Sequence, residues 1–359
     1  MKKRTPKIVV AAAVTIGVSL VILLFALPLG MSVRIYEENF GVRYETYAPM
    51  SRSIDEFEGL RSQYYAFQSN KGRTLVGYGY YHGDNSLNDV GEPGAVVIIA
   101  HGLGGGGHNV YIAVADHFAS KGFAVFAYDA TGNDESEGES VYGLPQGIID
   151  LEHAISFVKQ TEEYENLPIM IFGHSWGAYS AGSVLNLHPD VKAVAMFAGF
   201  DKSIDIILEE GKKIAGDVMV RFTPYLSLYE RIKFGDYAAL DCASGIEASD
   251  AGIMIVHSAD DEMLPPEMSY DVFHAQYKDN PRFVFVKYED RGHDYVFCTD
   301  EARLYRAEFN RKFDEYLEDN EFPPELKVAY LEANLDKNAL YELDTELLDR
   351  VADFYNSYK

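Results

Sequence analysis

The stretch "PIMIFGHSWGAYSAGSVLNL", Pro168 to Leu187, places a serine between two glycines where an apolar run gives way to a helical pattern. "PIMIFGHS" reads as a strand and "WGAYSAGSVLNLHP" as a helix closed by Pro189, so Ser175 falls at a strand-to-helix turn. At average glycine usage a Gly-x-Ser-x-Gly pentapeptide arises by chance in roughly one chain of this length in ten, so the motif needs its context. A serine held on a sharp turn shows its hydroxyl only where the residues two before and two after lack side chains. Gly173 and Gly177 meet that demand, and Ala178 keeps the next position small.

Outward from this turn the pattern alternates. "GAVVIIAHG", "FAVFAYDA" and "VKAVAMFAGF" are short β-branched or apolar runs. Between them lie "VYIAVADHFASKG" and "GLPQGIIDLEHAISFVKQ", with apolar residues at helical spacing. Upstream, "SQYYAFQSNKGRTLVGYGYYH" reads as two strands around a turn at Asn70-Lys71-Gly72. Buried strands alternating with such helices predict an α/β fold, a mostly parallel sheet covered by helices on both faces. The rhythm breaks at Asp201. Residues 201–251 are helical in composition with no strand, and read as a lid on the edge where open α/β sheets bind ligands. The alternation then resumes with "GIMIVHSADD" and "RFVFVKYED", and the final helix is expected to close the sheet.

A serine hydroxyl is a weak nucleophile and needs a base and an orienting carboxylate. In this architecture they follow in the order Ser, Asp/Glu, His, from loops after later strands. "IMIVHSADDEMLPP" ends a strand in two aspartates, of which the register favours Asp261 over Asp260. "FVFVKYEDRGHDYVF" delivers His293 from a glycine-containing loop. His101 and His257 also end strands, but one precedes the nucleophile and the other the acid. Two backbone amides are needed for a developing oxyanion. One is Trp176, whose side chain is left free to vary; the other comes from "AHGLGGGGHN", where Gly102 and Gly104 let Leu103 approach. That loop lacks the Gly-Lys-Ser/Thr ending of a P-loop, which argues against a phosphate cradle. A second serine, Ser136 in "DATGNDESEGES", reads as loop structure.

The 359 residues, 47% hydrophobic and 24% charged, have the balance of a globular chain. A net charge of −25 excludes nucleic acid as a natural partner and argues against a basic membrane patch. Membrane attachment is instead expected from Ile8 to Leu29, 22 uncharged residues that make about 33 Å of helix against a hydrocarbon core of about 30 Å. A cleaved signal peptide is the competing reading, but its apolar core is shorter, about 7–15 residues, and ends at a small-residue site not evident here. Lys2, Lys3, Arg4 and Lys7 precede the span, which places the N-terminus in the cytoplasm and the remainder outside a cell membrane. The expected organisation is a basic segment 1–7, an anchor 8–29, a connector 30–60 without clear periodicity, and a catalytic domain 61–359. Cys242 and Cys298 are compatible with a disulfide or with two buried thiols. No CxxC or HExxH occurs, so no metal and no cofactor is implied.

With "AHGLGG", "YDATGNDESEG", "GHSWGA", "SADDEMLP" and "RGHDYV" in order, the chain resembles the α/β-hydrolase superfamily, in the branch of monoacylglycerol lipases, lysophospholipases and S33-type aminopeptidases. The resemblance covers about Gln63 to Asn310 and the last helix. It implies Ser175 as nucleophile, Asp261 as acid, His293 as base, and Leu103 with Trp176 as oxyanion donors. Where many relatives carry Arg-Gly-His-Gly, this chain has Thr131-Gly132-Asn133-Asp134. The expected activity is hydrolysis of carboxylic or lipid esters through an acyl-enzyme. An aminopeptidase is the in-class rival, with "DIILEE" (Asp205 to Glu210) as its candidate amine-binding carboxylates. A non-catalytic binding protein on the same scaffold is the rival from another class.

Overall fold

The computed structural model describes residues 5–83, 94–318 and 324–359. Lys2, Lys3 and Arg4 of the expected basic segment lie outside the described residues. Eight strands form one sheet: β1 (Leu60–Gln68), β2 (Thr74–His82), β3 (Val96–Ala100), β4 (Ala124–Tyr128), β5 (Ile169–His174), β6 (Ala193–Phe197), β7 (Gly252–Ser258) and β8 (Phe283–Tyr288). Their order is β1-β2-β4-β3-β5-β6-β7-β8. The hairpin β1–β2 and the β2–β4 pair are antiparallel; every later pair is parallel.

Strands β3 to β7 are buried along their whole length, because helices cover both faces. Successive residues alternate between two cores: Val96, Ile98 and Ala100 point into one, Val97 and Ile99 into the other. The last helix, Thr345–Asn356, closes one face with Leu348, Val351 and Tyr355, and the Tyr355 hydroxyl donates to the Ile171 carbonyl over 2.8 Å. From β3 the chain winds outward to β4, returns to β5, and then runs the other way to β8. The crevice beyond the ends of β3 and β5 is therefore the switch point of the sheet.

Between β6 and β7 three helices, Ser203–Ala215, Thr223–Phe234 and Cys242–Ala248, make up the expected lid. Cys242 and Cys298 are both buried and both free, so they are the small hydrophobes of the two alternatives.

One boundary differs from expectation. Residues 30–60 do not begin as a connector: the apolar helix runs on as one helix, Val9–Phe40, long and apolar enough to cross a membrane. Ser32, Tyr36 and Phe40 are buried at four-residue spacing, a single stripe. Polar neighbours such as Arg34 and Glu38, paired at 2.7 Å, surround that stripe and hide its period in the sequence. The stripe packs on the lid: the Tyr36 ring meets Tyr229 edge-on at 5.4 Å, and its hydroxyl donates to Glu230 over 2.8 Å.

Candidate active site

Ser175 follows the last residue of β5 with φ 55° and ψ −116°, a backbone conformation that side chains disfavour. Neighbouring backbone over-determines this strain. A methyl group on Gly177 would lie 1.9 Å from the Ala100 carbonyl oxygen, and one on Gly173 would lie 2.5 Å from the Gly177 oxygen. Both glycines are demanded by close approach, as the sequence pattern required.

The other candidates come from adjacent strand ends on the same edge of the sheet. Asp261 lies three residues past β7, and His293 five past β8. His293 Nε2 is 2.9 Å from Ser175 Oγ, and its Nδ1 is 2.8 Å from Asp261 Oδ2. The structure therefore brings Ser175, His293 and Asp261 into one hydrogen-bonded chain. Asp260 stands outside that chain. Its carboxylate accepts from the Gly292 amide and the Ser258 hydroxyl, fixing the loop that carries His293.

Burial alone would push the Asp261 carboxyl up, but hydrogen bonds from His257 and His293 and the amide of Leu264 hold it well below the usual carboxylate range. It stays ionised and accepts from His293. His257, which in the sequence only precedes the acid, is fully buried. Its Nε2 is 2.8 Å from the Leu264 carbonyl and 3.4 Å from Asp261.

A second histidine also gains a role. His174, the residue before Ser175, is buried, and its Nε2 is 3.1 Å from the His293 carbonyl. Its Nδ1 is 2.8 Å from the Tyr111 hydroxyl, and Tyr111 in turn accepts from the Gly102 amide at 3.0 Å. These contacts join the Ser175 turn, the His293 loop and the glycine-rich loop. The Gly102 amide is thereby occupied. The amides of Leu103 and Trp176 donate to no other group among the described residues. Gly104 takes the left-handed conformation, φ 88°, beside Leu103.

The Trp176 side chain is not free to vary. Its ring is buried, its indole N–H donates to the Leu144 carbonyl over 2.8 Å, and it lines a cavity that reaches Ser175. The Thr131–Asp134 loop supports the site from behind. Asp134 accepts from the Thr46 hydroxyl (2.6 Å) and the Gly107 amide (2.8 Å), tying the glycine-rich loop in place. Ser136 is buried loop structure, donating to the Asp129 carbonyl over 2.5 Å.

Two cavities meet at Ser175. The smaller, about 280 Å³, runs past His293, Tyr111 and Arg306. The larger, about 550 Å³, lies between lid and apolar helix, walled by Ile35, Phe40, Trp176, Phe200, Ile206 and Ile207. Among the described residues no group of three or more His, Cys, Asp or Glu side chains is disposed to hold a metal ion.

Residues 91–239 match the family model described as serine aminopeptidase, S33, a segment that holds the glycine-rich loop and Ser175. An esterase from Pyrococcus furiosus shares the architecture with a TM-score of 0.50 at 14% identity, over 77% of this chain and 98% of that one. The chain has the α/β-hydrolase fold. An acylaminoacyl peptidase from Pyrococcus horikoshii is similar at a TM-score of 0.51 and 18% identity, over 77% of this chain and 45% of that one. No curated protein sequence matches the hydrolase. At these identities the solved structures speak for its fold alone.

Proposed function

We propose that this hydrolase is a membrane-anchored esterase that cleaves carboxylic or lipid esters through an acyl-enzyme. Ser175 Oγ attacks the acyl carbonyl while His293 Nε2 takes its proton, and Asp261 holds the imidazole in the tautomer that makes this possible. The Leu103 and Trp176 amides receive the negative oxygen of the tetrahedral intermediate. His293 returns the proton to the leaving alcohol, and water attacking the acyl-Ser175 ester regenerates the enzyme by the same path.

The observation that carries the ester reading is the apolar cavity of about 550 Å³ that reaches Ser175. A peptidase trimming N-termini needs an uncompensated carboxylate to bind the substrate amine. In the stretch Asp205 to Glu210, Glu209 pairs with Lys212 at 3.4 Å and Glu210 with Lys213 at 2.7 Å, and Asp205 lines neither cavity at Ser175. The anchor reading is supported by the uncharged run Ile8–Leu29, whose apolar side chains from Val9 onward lie exposed. The basic residues before it favour a cytoplasmic N-terminus and an extracytoplasmic catalytic domain.

Activity on p-nitrophenyl esters against aminoacyl-p-nitroanilides tests the reaction class, with Ser175→Ala as control. Preferential turnover of the anilides would overturn the esterase reading. A fluorophosphonate probe that fails to label the wild type would remove Ser175 from the mechanism. Protease digestion of intact cells tests the topology, and a fully protected catalytic domain contradicts it.

A further inference from the structure

The apolar helix and the lid meet twice, at different heights. Near the domain, Tyr36 packs against Tyr229 of the lid, with Phe40 beside it. Further down, Pro28 has no N–H with which to bond the carbonyl of Leu24, and the turn Ile22–Ala26 widens to the π form. The Tyr225 hydroxyl of the lid donates to that Leu24 carbonyl, and its ring meets Phe25 edge-on at 5.8 Å. Leu24 lies five residues before Leu29, the end of the expected span, about 7 Å along the helix. A carbonyl freed by proline at that depth needs a partner, and tyrosine is suited to the interface. Beside Tyr225, the lid leaves large apolar side chains in the open: Ile214 is 85% exposed, Val220 52% and Val218 47%.

Ile214 is also on the rim of the larger cavity, and Ile35 of the helix is part of its wall. Ile35 is six residues, about 9 Å, beyond Leu29. A bilayer's headgroup layer is about 5–8 Å deep on each side. The mouth of the cavity thus lies beside the headgroup layer, and its walls are shared between the lid and the apolar helix.

We propose that this opening is a lateral port: the site takes the acyl chain of a lipid ester directly from the membrane in which the helix is embedded. The proposal rests on the anchored-esterase reading and adds the class of acyl group and its route. The chain slides along Ile214 and Ile35 into the cavity, and its ester carbonyl arrives at Ser175 with the alcohol portion in the smaller cavity past Tyr111 and Arg306.

The test uses the full chain in phosphatidylcholine vesicles, with p-nitrophenyl palmitate carried in the bilayer and p-nitrophenyl butyrate added in solution. The Val218→Asp/Val220→Asp double variant changes the lid tip but neither cavity wall. It is expected to lower palmitate turnover at least tenfold and leave butyrate turnover within twofold. Butyrate cleavage at the wild-type rate with an unchanged palmitate-to-butyrate ratio overturns the port and leaves the esterase reading intact. No cleavage of either ester by the wild type overturns both. If both activities fall together in the double variant, the milder Val218→Ser/Val220→Ser pair decides. Retained butyrate turnover with lost palmitate turnover supports the port, and equal retention or equal loss of the two overturns it.

Discussion

The Tyr111 hydroxyl and His174 Nδ1 stand 2.8 Å apart, and the proton between them belongs to the tyrosine. His174 Nε2 faces the His293 carbonyl, which can only accept, so Nε2 carries the ring's hydrogen and Nδ1 is left as an acceptor. The Tyr111 oxygen accepts in turn from the Gly102 amide. One neutral imidazole thus holds the main chain of the His293 loop and, through a tyrosine, the start of the glycine-rich loop.

His174 is expected to make the fold acid-sensitive. Burial, and then the neighbouring His293, lowers its pKa to about 4. The unfolded chain, with histidine near 6.5, binds a proton in that interval that the native state refuses, so stability rises with pH up to about 6.5 and falls below it. The interval from about 6.5 to about 4 corresponds to on the order of 3 kcal/mol lost on acidification. His174→Gln keeps a donor for His293 and an acceptor for Tyr111 without the titration. Denaturant midpoints at pH 5 and pH 7 should therefore differ much less in the variant than in the wild type. An undiminished difference counts against His174 as the source.

Asp261 and Asp260 sit side by side, and only one should matter for the chemical step. Asp261→Asn presents an amide to His293 Nδ1 and favours the wrong tautomer. It should lower kcat by about 10³-fold or more, while labelling by a fluorophosphonate slows in parallel. Asp260→Asn retains an oxygen for the Gly292 amide and is expected to cost under tenfold. Comparable losses in the two variants would reverse the assignment.

The elbow, the order of Ser175, Asp261 and His293, and the alternation of strands are legible in the sequence because each depends on residues close together in the chain. A glycine two places from Ser175 is a local demand, and an aspartate after a strand is a local placement. The Trp176 side chain looks unconstrained in the motif because its partner, the Leu144 carbonyl, is 32 residues away and leaves no mark there. Tyr36 is hidden for the same reason on a larger scale. Its partner Glu230 is 194 residues distant, and between Met31 and Phe40 the buried stripe is only one residue in four. His257 and Tyr111 are equally invisible, since each looks like an ordinary strand-end or helix-start residue until the loops close.

Trp176 supplies a direct check on the constrained role of its side chain. Trp176→Phe keeps an aromatic wall on the cavity but removes the donor to the Leu144 carbonyl. Leaving that buried acceptor unpaired should cost about 1–3 kcal/mol, read as a lower urea midpoint. The amide that serves the oxyanion is untouched, so kcat toward a short ester should stay within a few-fold. A large drop in kcat with unchanged stability would mean that the indole itself acts on the substrate.

Glu230 predicts a pH effect of the opposite sign, confined to the lid. Burial raises its pKa, although hydrogen bonds from Ser203 and Tyr36, each 2.8 Å long, pull it back. A carboxyl raised in the folded state binds a proton that the released lid gives up. Lid docking is therefore strongest below the ordinary glutamate value near 4.3 and weakens as pH rises through the folded value. The region around His174 stays folded when only the lid opens, so the two effects separate by method. Limited proteolysis within residues 203–234 should be faster at pH 8 than at pH 5.5 in the wild type, after correction for the protease's own pH dependence. Glu230→Gln accepts from the Tyr36 hydroxyl without a charge, and its cleavage rate should vary little between the two. A wild-type lid nicked equally fast at both values, or a Gln variant that keeps the full dependence, would place the lid's latch somewhere other than Glu230.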